Sequence, residues 1–100
     1  MKNIVSISNA TYQTLADLLV FNLDHREYLS DSICVIEGDV EFTLSFAIVA
    51  HYSKSTDEET YGIEILDNVS PAWWNFEALD NDEPINTDFS FDELKTYILC

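Results

Sequence analysis

The most regular pattern in the chain is an alternation of apolar and mostly polar residues over positions 40–52. A period of two is typical of a β-strand with one buried face. The preceding segment, 37–40, contains Gly38, which adopts a positive φ without steric penalty and therefore predicts a two-residue type II′ turn. Pairing Glu37 with Val40 places the apolar residues of both flanking segments on one face. The pattern thus predicts an antiparallel hairpin.

Two other segments show helical rather than strand spacing. From Ala10 to about Asp24, apolar residues recur every three or four positions, after the good capping residues Ser8 and Asn9. The expected buried stripe consists of Tyr12, Leu15, Ala16, Leu19 and Leu23, widened by Leu18 and Phe21. Near the end of the chain, Ser90 and Glu93 form a capping box, and Phe89 and Leu94 form a hydrophobic staple. These signals predict a second helix over 91–99.

The remaining segments complete the predicted order of elements. Strands are expected at 32–37, 40–53, 59–66 and 72–79, a break at 67–71, a connector at 26–31, an extended or irregular segment at 85–88, and a short edge strand or loose arm at 1–7. Trp74, Phe76 and Ala78 should share one face of the last strand. The sequence therefore predicts one domain, 1–100, of the α+β class: a four- to five-stranded antiparallel meander with two helices packed on one face.

The net charge of the chain indicates which class of partner it could bind. Nineteen Asp and Glu residues face four Lys and Arg, which gives a formal net charge of -15. Such a balance argues against direct binding to nucleic acid or to an anionic membrane, and it favours a basic partner. The alternative is that the acidity only keeps a small protein soluble.

The acidic residues are unevenly distributed, because the chain has no Lys or Arg between Ser55 and Leu94. We predict that carboxylates of this half share one surface and bind a partner, with an outward Trp73 as an apolar anchor. The predicted partner-binding residues are Asp57, Glu58, Glu59, Glu64, Asp67, Trp73, Glu77, Asp80, Asp82, Glu83 and Asp88. The alternative for the tryptophans is that both Trp73 and Trp74 are buried.

The spacing of residues on a strand suggests what such a surface could imitate. Side chains on one face of a strand lie about 6.6 Å apart, and phosphates along one nucleic-acid strand advance about 3.4 Å per residue of helix axis and lie farther apart through space. A rigid carboxylate array could therefore resemble a nucleic-acid backbone. This predicts an inhibitor of a nucleic-acid-binding or host-defence protein.

Catalytic and metal-binding signals are weak. His25 and His51 are the two histidines, nothing places a base beside Cys34, and no Gly-rich phosphate loop or GxSxG motif occurs. An enzyme would need a concave pocket that holds one of these histidines with a carboxylate. A calcium loop over 80–88 fails because Pro84 and the residue after it break the required pattern, although adventitious binding of a divalent ion there stays open. We predict no catalytic residue, no metal site and no cofactor.

Localisation is inferred from the cysteines and the start of the chain. A bridge between Cys34 and Cys100 is allowed, but two cysteines form no disulfide framework, and reduced thiols are favoured. The start of the chain does not resemble a signal peptide, since polar residues interrupt its apolar positions. Both observations predict a cytoplasmic protein.

Two segments carry a resemblance to a known group. Pro71-Ala72-Trp73-Trp74-Asn75-Phe76 and Asn86-Thr87-Asp88-Phe89-Ser90-Phe91 resemble a pattern in small uncharacterised acidic proteins of bacterial mobile elements. The resemblance covers about the last third of the chain and implies a bacterial cytoplasm and a phage, plasmid or conjugative origin. It brings no activity with it. A second functional hypothesis follows: a structural or accessory protein that self-assembles, for example as a homodimer, through its tryptophan region and a sheet edge.

Overall fold

The computed structural model describes residues 4–54 and 64–99, which form five strands and two helices. In chain order these are β1 (Ile4–Val5), α1 (Asn9–Leu23), β2 (Tyr28–Glu37), β3 (Val40–Lys54), β4 (Glu64–Asp80), β5 (Glu83–Thr87) and α2 (Phe91–Ile98). One sheet contains all five strands in the order β1-β5-β4-β3-β2. The predicted α+β class is confirmed.

The sheet is mixed, so the prediction of a purely antiparallel meander is wrong. β2 to β5 pair antiparallel in sequence, but β1 pairs parallel with β5. No hairpin joins β1 to β5, and the direction of β1 is therefore not fixed by a turn. Its position is fixed instead at Asp88, whose amide donates to the Val5 carbonyl (3.2 Å) and whose Oδ1 accepts from the Ile7 amide (2.7 Å).

The central hairpin has the predicted register. Glu37 pairs with Val40, and Gly38 has a φ of +62°. β2 nevertheless begins at Tyr28, inside the predicted connector, because the long β3 offers partners as far as Val49, which pairs with Tyr28. The segment at 85–88 also belongs largely to a strand, β5.

β4 is one strand of 17 residues where the sequence predicts two separated by a turn. The register with β3 shifts twice, and β4 contributes an extra residue each time, at Asp67 and at Ala72. The turn-favouring residues around Pro71 therefore form bulges, which bend and twist a strand without ending it. Pro71 lies where β4 pairs with β3 alone, because β5 pairs with residues 78–80. A missing N–H is tolerated at such a position.

A single hydrophobic cluster combines residues of both helices with residues of β2, β3 and β4. The five-residue stripe predicted for α1 is buried as expected. Phe21 is the exception, with 81% of its surface exposed. At about 100° per residue it lies on the opposite side of the helix from the middle of the stripe, so its predicted burial is wrong.

Both helices begin at the predicted capping serines, but one hydrogen bond has a different partner from the one predicted. Ser8 caps α1, and Ser90 caps α2 by accepting the Glu93 amide at 3.4 Å. In the predicted capping box the Glu93 side chain would accept a hydrogen bond from the Ser90 amide. That amide instead donates to the Tyr12 hydroxyl at 3.1 Å. This bond ties the start of α2 to α1.

Candidate interaction surfaces

Two tight turns lie side by side at one end of the sheet. The β2–β3 turn contains Gly38 and Asp39, and the β4–β5 turn contains Asn81 and Asp82. The Asn81 amide donates to the Asp39 carbonyl at 3.1 Å, which holds the turns together. Asn81 and Asp82 have φ values of +50° and +67°, the signs that a type I′ hairpin turn requires.

These turns gather carboxylates from both hairpins. We call this group the acidic turn end; its members are Glu37, Asp39, Glu41, Asp80, Asp82 and Glu83, all exposed except Glu41, which is half-buried. Glu37, Asp80 and Glu83 form one row across the sheet, since Val40 pairs with both Glu37 and Asp80, and Asp80 pairs with Glu83. Directly paired Cβ atoms lie about 5 Å apart and residues two strands apart about 10 Å.

Glu37 also has a structural role in this group. Its Oε2 accepts a hydrogen bond from the buried Thr11 hydroxyl at 2.7 Å, and Thr11 lies in the first turn of α1. That first turn has no acidic residue of its own. The strand carboxylate therefore supplies the negative charge that the positive end of a helix favours.

The predicted partner-binding residues are divided by the fold. Asp80, Asp82 and Glu83 come together, whereas Glu77 lies three residues before Asp80 on β4 and on the opposite face. Glu64 pairs with Lys54, whereas Asp80 pairs with Val40. Fourteen residues of β3 separate these pairs, or about 46 Å, in agreement with a longest molecular dimension of 55 Å. Asp57, Glu58 and Glu59 lie outside the described residues.

An evenly spaced carboxylate array does not run along β4. Between Asp67 and Glu77 the strand has no acidic residue, and Glu77 and Asp80 project to opposite faces. Asp88 holds β1 in place through the bond to Ile7 described above. What the sequence missed is the contribution of the first hairpin: its carboxylates precede the cation-free half, and only the pairing of strands shows that they adjoin the β4–β5 turn.

The face of β2, β3 and β4 that points away from the hydrophobic core is here called the outer face. At its centre Trp73 pairs with Ala47. Trp73, Tyr28 and Val49 are 51%, 56% and 38% exposed, whereas Ala47 is 2% exposed. Among the described positions on this face, the charged residues are Glu41 and Glu77, and none is Lys or Arg.

The second tryptophan lies on the core side, as the alternation predicts. Trp74 pairs with the buried Phe46. Its ring centroid is 5.4 Å from that of Phe89 and 6.2 Å from that of Phe91. Trp74 nevertheless has 42% of its surface exposed, against 51% for Trp73, so the interpretation that both tryptophans are buried is wrong. The two differ in the face they occupy, and Trp73 is the one on the outer face.

Two open grooves adjoin the C-terminal end of α1. One, of about 510 Å³, is lined by His25, Asp24 and Glu64 among others, and the second, of about 480 Å³, contains His25, His51 and Glu64. The concave pocket that the enzyme hypothesis requires is therefore present.

The chemistry of these grooves is limited. Their described linings contain no Ser, Thr or Cys nucleophile. The Tyr52 hydroxyl donates to the Arg26 carbonyl at 2.8 Å, and burial, followed by the nearby Glu64, raises its pKa. Over residues 4–54 and 64–99, no group of three or more His, Cys, Asp or Glu side chains is placed to hold a metal ion.

The fold and the surfaces define a small acidic α+β protein with a mixed sheet. Comparison with family models, with curated proteins and with solved structures gives no match. Neither described helix is long and apolar enough to span a bilayer.

Proposed function

We propose that this chain is a non-enzymatic interaction protein whose acidic turn end binds a basic surface of a partner protein. One observation carries the proposal: two adjacent turns on one sheet bring six carboxylates together. The alternative, that the acidity only keeps the chain soluble, depends on net charge and gives no reason for this concentration.

The electrostatics of the turn end favour association with cations. Like charges directly opposite each other on a sheet are destabilising, and Asp80 and Glu83 are such a pair. A Lys or Arg side chain placed between them replaces repulsion by attraction. Concentrated charge on one end of an elongated molecule also accelerates encounter with an oppositely charged surface, and this acceleration weakens as salt increases.

The narrower form of the proposal is that the partner is a nucleic-acid-binding protein and that the acidic turn end occupies its nucleic-acid groove. Separations of about 5–10 Å between strand positions in the row of Glu37, Asp80 and Glu83 are comparable with phosphate spacing. This cluster is what supports the nucleic-acid mimic form of the proposal, since an evenly spaced carboxylate array along β4 is not formed.

Displacement of a fluorescent DNA duplex from a basic, non-specific DNA-binding domain tests both forms. The wild-type chain should bind the domain, release the duplex, and lose affinity steeply between 50 and 200 mM salt. The triple variant Asp80→Asn, Asp82→Asn, Glu83→Gln should lose most of this binding.

A matched control removes the same number of negative charges at the other end of the sheet. The variant Asp24→Asn, Glu27→Gln, Glu64→Gln removes three carboxylates near the α1 grooves. It should bind nearly as well as the wild-type chain. Equal losses in the two variants would show that only net charge matters, and binding without duplex release would retain the general form while removing the nucleic-acid mimic.

One observation favours the second candidate function, assembly of copies of this chain. Trp73 is half exposed, and β2 is a ten-residue strand at the edge of the sheet. An unpaired strand edge can add a strand from another copy. Asp31 works against this, because it lies on the core-facing side of β2 opposite Phe46, where a charge disfavours strand addition. Sedimentation at low and high salt, with Trp73→Ser as the variant, tests this candidate.

A further inference from the structure

We infer that the outer face is the docking surface for the same partner, and that the partner element carries an exposed apolar or aromatic side chain about 13–20 Å from a cluster of Lys or Arg. This inference rests on the proposed function and adds to it a surface, an anchor and a spacing. The spacing follows from the strand positions given below.

The apolar part of the surface is the neighbourhood of Trp73. The exposed Trp73 pairs with Ala47, which is 2% exposed, and the exposed Val49 and Tyr28 form the next pair on this face. The exposure of these large side chains shows that the face is open at this point. An exposed tryptophan with uncharged neighbours is the kind of residue that dominates protein–protein binding energy.

The charged part is continuous with the apolar part. Glu77 lies four residues from Trp73 on the same face of β4, a distance of about 13 Å, and Glu41 lies on β3 beside Leu79, six β4 residues from Trp73, or about 20 Å. Beyond them lie the turns of the acidic turn end, whose row of Glu37, Asp80 and Glu83 is on the core side of the sheet, so that Glu41 and Glu77 are the carboxylates of the outer face itself. A partner that places its apolar group over Trp73 would therefore bring cations at this spacing onto carboxylates.

A second copy of this chain does not fit that description. Each copy carries a formal net charge of -15, and the described strand positions of the outer face offer no Lys or Arg to meet Glu41 or Glu77. Like charges brought face to face lower affinity. Charge complementarity thus selects a basic partner.

Two synthetic peptides of equal charge serve as probes. The first carries three Arg residues and, four residues away in an extended chain, a Trp-Leu pair, and the second has Ser-Ser in place of Trp-Leu. Each is titrated into the full chain while amide resonances are followed by NMR. We expect the first peptide to bind at least tenfold more tightly and to shift the resonances of Trp73, Ala47 and Val49.

Variants connect this preference to the outer face. Trp73→Ser should abolish the preference for the first peptide, a loss of about 30-fold if Trp73 is a binding hot spot. Glu77→Lys should weaken both peptides and leaves the tryptophan in place, so it tests the charge spacing even if Trp73→Ser fails to fold. Phe21→Ser, which changes an exposed aromatic residue on α1, should leave both affinities unchanged.

The outcomes separate this inference from the proposed function. Equal affinities of the two peptides, with shifts confined to the acidic turn end, would overturn the inference and leave the proposed function standing. No binding of either peptide, together with no binding of the basic DNA-binding domain, would overturn both. Equal effects of Phe21→Ser and Trp73→Ser would also overturn the inference.

Discussion

Reversal of one charge in the acidic turn end should stabilise the fold and weaken binding at the same time. Glu83 is the suitable position, because it is exposed and lies directly opposite Asp80 at the end of a two-residue turn. Glu83→Lys converts a repulsive pair into an attractive one without touching the hydrophobic core. Glu83→Gln removes the repulsion alone and should give about half of the effect.

The magnitude can be worked from the strand geometry. For carboxylates about 6 Å apart in water, the unscreened repulsion is about 0.7 kcal/mol. With a Debye length of about 30 Å at 0.01 M salt and 8 Å at 0.15 M, it falls to about 0.6 and 0.3 kcal/mol. Charge reversal changes the free energy of unfolding by twice these amounts, so Glu83→Lys should gain about 1.2 kcal/mol at low salt and about 0.6 kcal/mol at moderate salt.

Urea unfolding at 0.01, 0.15 and 1 M salt measures this gain, which should nearly vanish at the highest salt. The same variant is then tested for binding to the basic DNA-binding domain. A gain in stability with weaker binding indicates that the Asp80–Glu83 repulsion is maintained for a partner. A gain that does not depend on salt would refute the electrostatic argument, and unchanged binding would refute the role of Glu83.

Three further predictions concern the scaffold. Asp82→Gly should raise the free energy of unfolding by about 0.5–1 kcal/mol, because glycine adopts the φ of +67° without strain, and Asp82→Asn controls for the lost charge. Tyr12→Phe should lower it by about 1–2 kcal/mol at pH 7, since the Ser90 amide loses its acceptor. Burial raises the Tyr12 pKa in the folded state, so wild-type stability should fall as the pH rises above about 10, and less so in this variant. In urea unfolding, Leu19→Ala should cost about 2–5 kcal/mol and Phe21→Ala less than about 0.5 kcal/mol, because Leu19 is fully buried and Phe21 is 81% exposed.

Local signals in the sequence were sufficient for the elements that depend on neighbouring residues. The turn at Gly38 and the caps at Ser8 and Ser90 follow from the chemistry of single side chains and nearby amides. The hairpin register follows from the requirement that two apolar sets share a face. These interactions act over a few residues, which is why a pattern along the chain reveals them.

Long-range pairing explains what the sequence did not reveal. Turn-favouring residues around Pro71 end a strand only if no partner continues to hold it, and the long β3 does so across two bulges. The parallel pairing of Ile4 with Asn86 depends on segments more than eighty residues apart. Neither effect has a local signature, because both arise from the tertiary arrangement of strands.

The candidate surfaces were predictable to a similar extent. The outward position of Trp73 follows from alternation, and the acidity of the β4–β5 turn is evident from Asp80, Asp82 and Glu83. That the β2–β3 turn adds its carboxylates to this group could be known only from the order of the strands in the sheet. That Glu64 lies far from this group could be known only from the unbroken length of β4, since a turn at 67–71 would have folded that carboxylate back toward the others.

Two local rules are relaxed at this end of the molecule, and the like-charge pair is the argument for function. Asp80 and Glu83 are like charges placed directly opposite each other, and Asp82 between them has a positive φ, which Asp24 and His25 also have at the other end. Sequences usually agree with their fold at each level, and exceptions concentrate at functional sites. A glycine at 82 and a lysine at 83 would satisfy both rules. Their absence from this turn is consistent with a surface kept acidic for a basic partner.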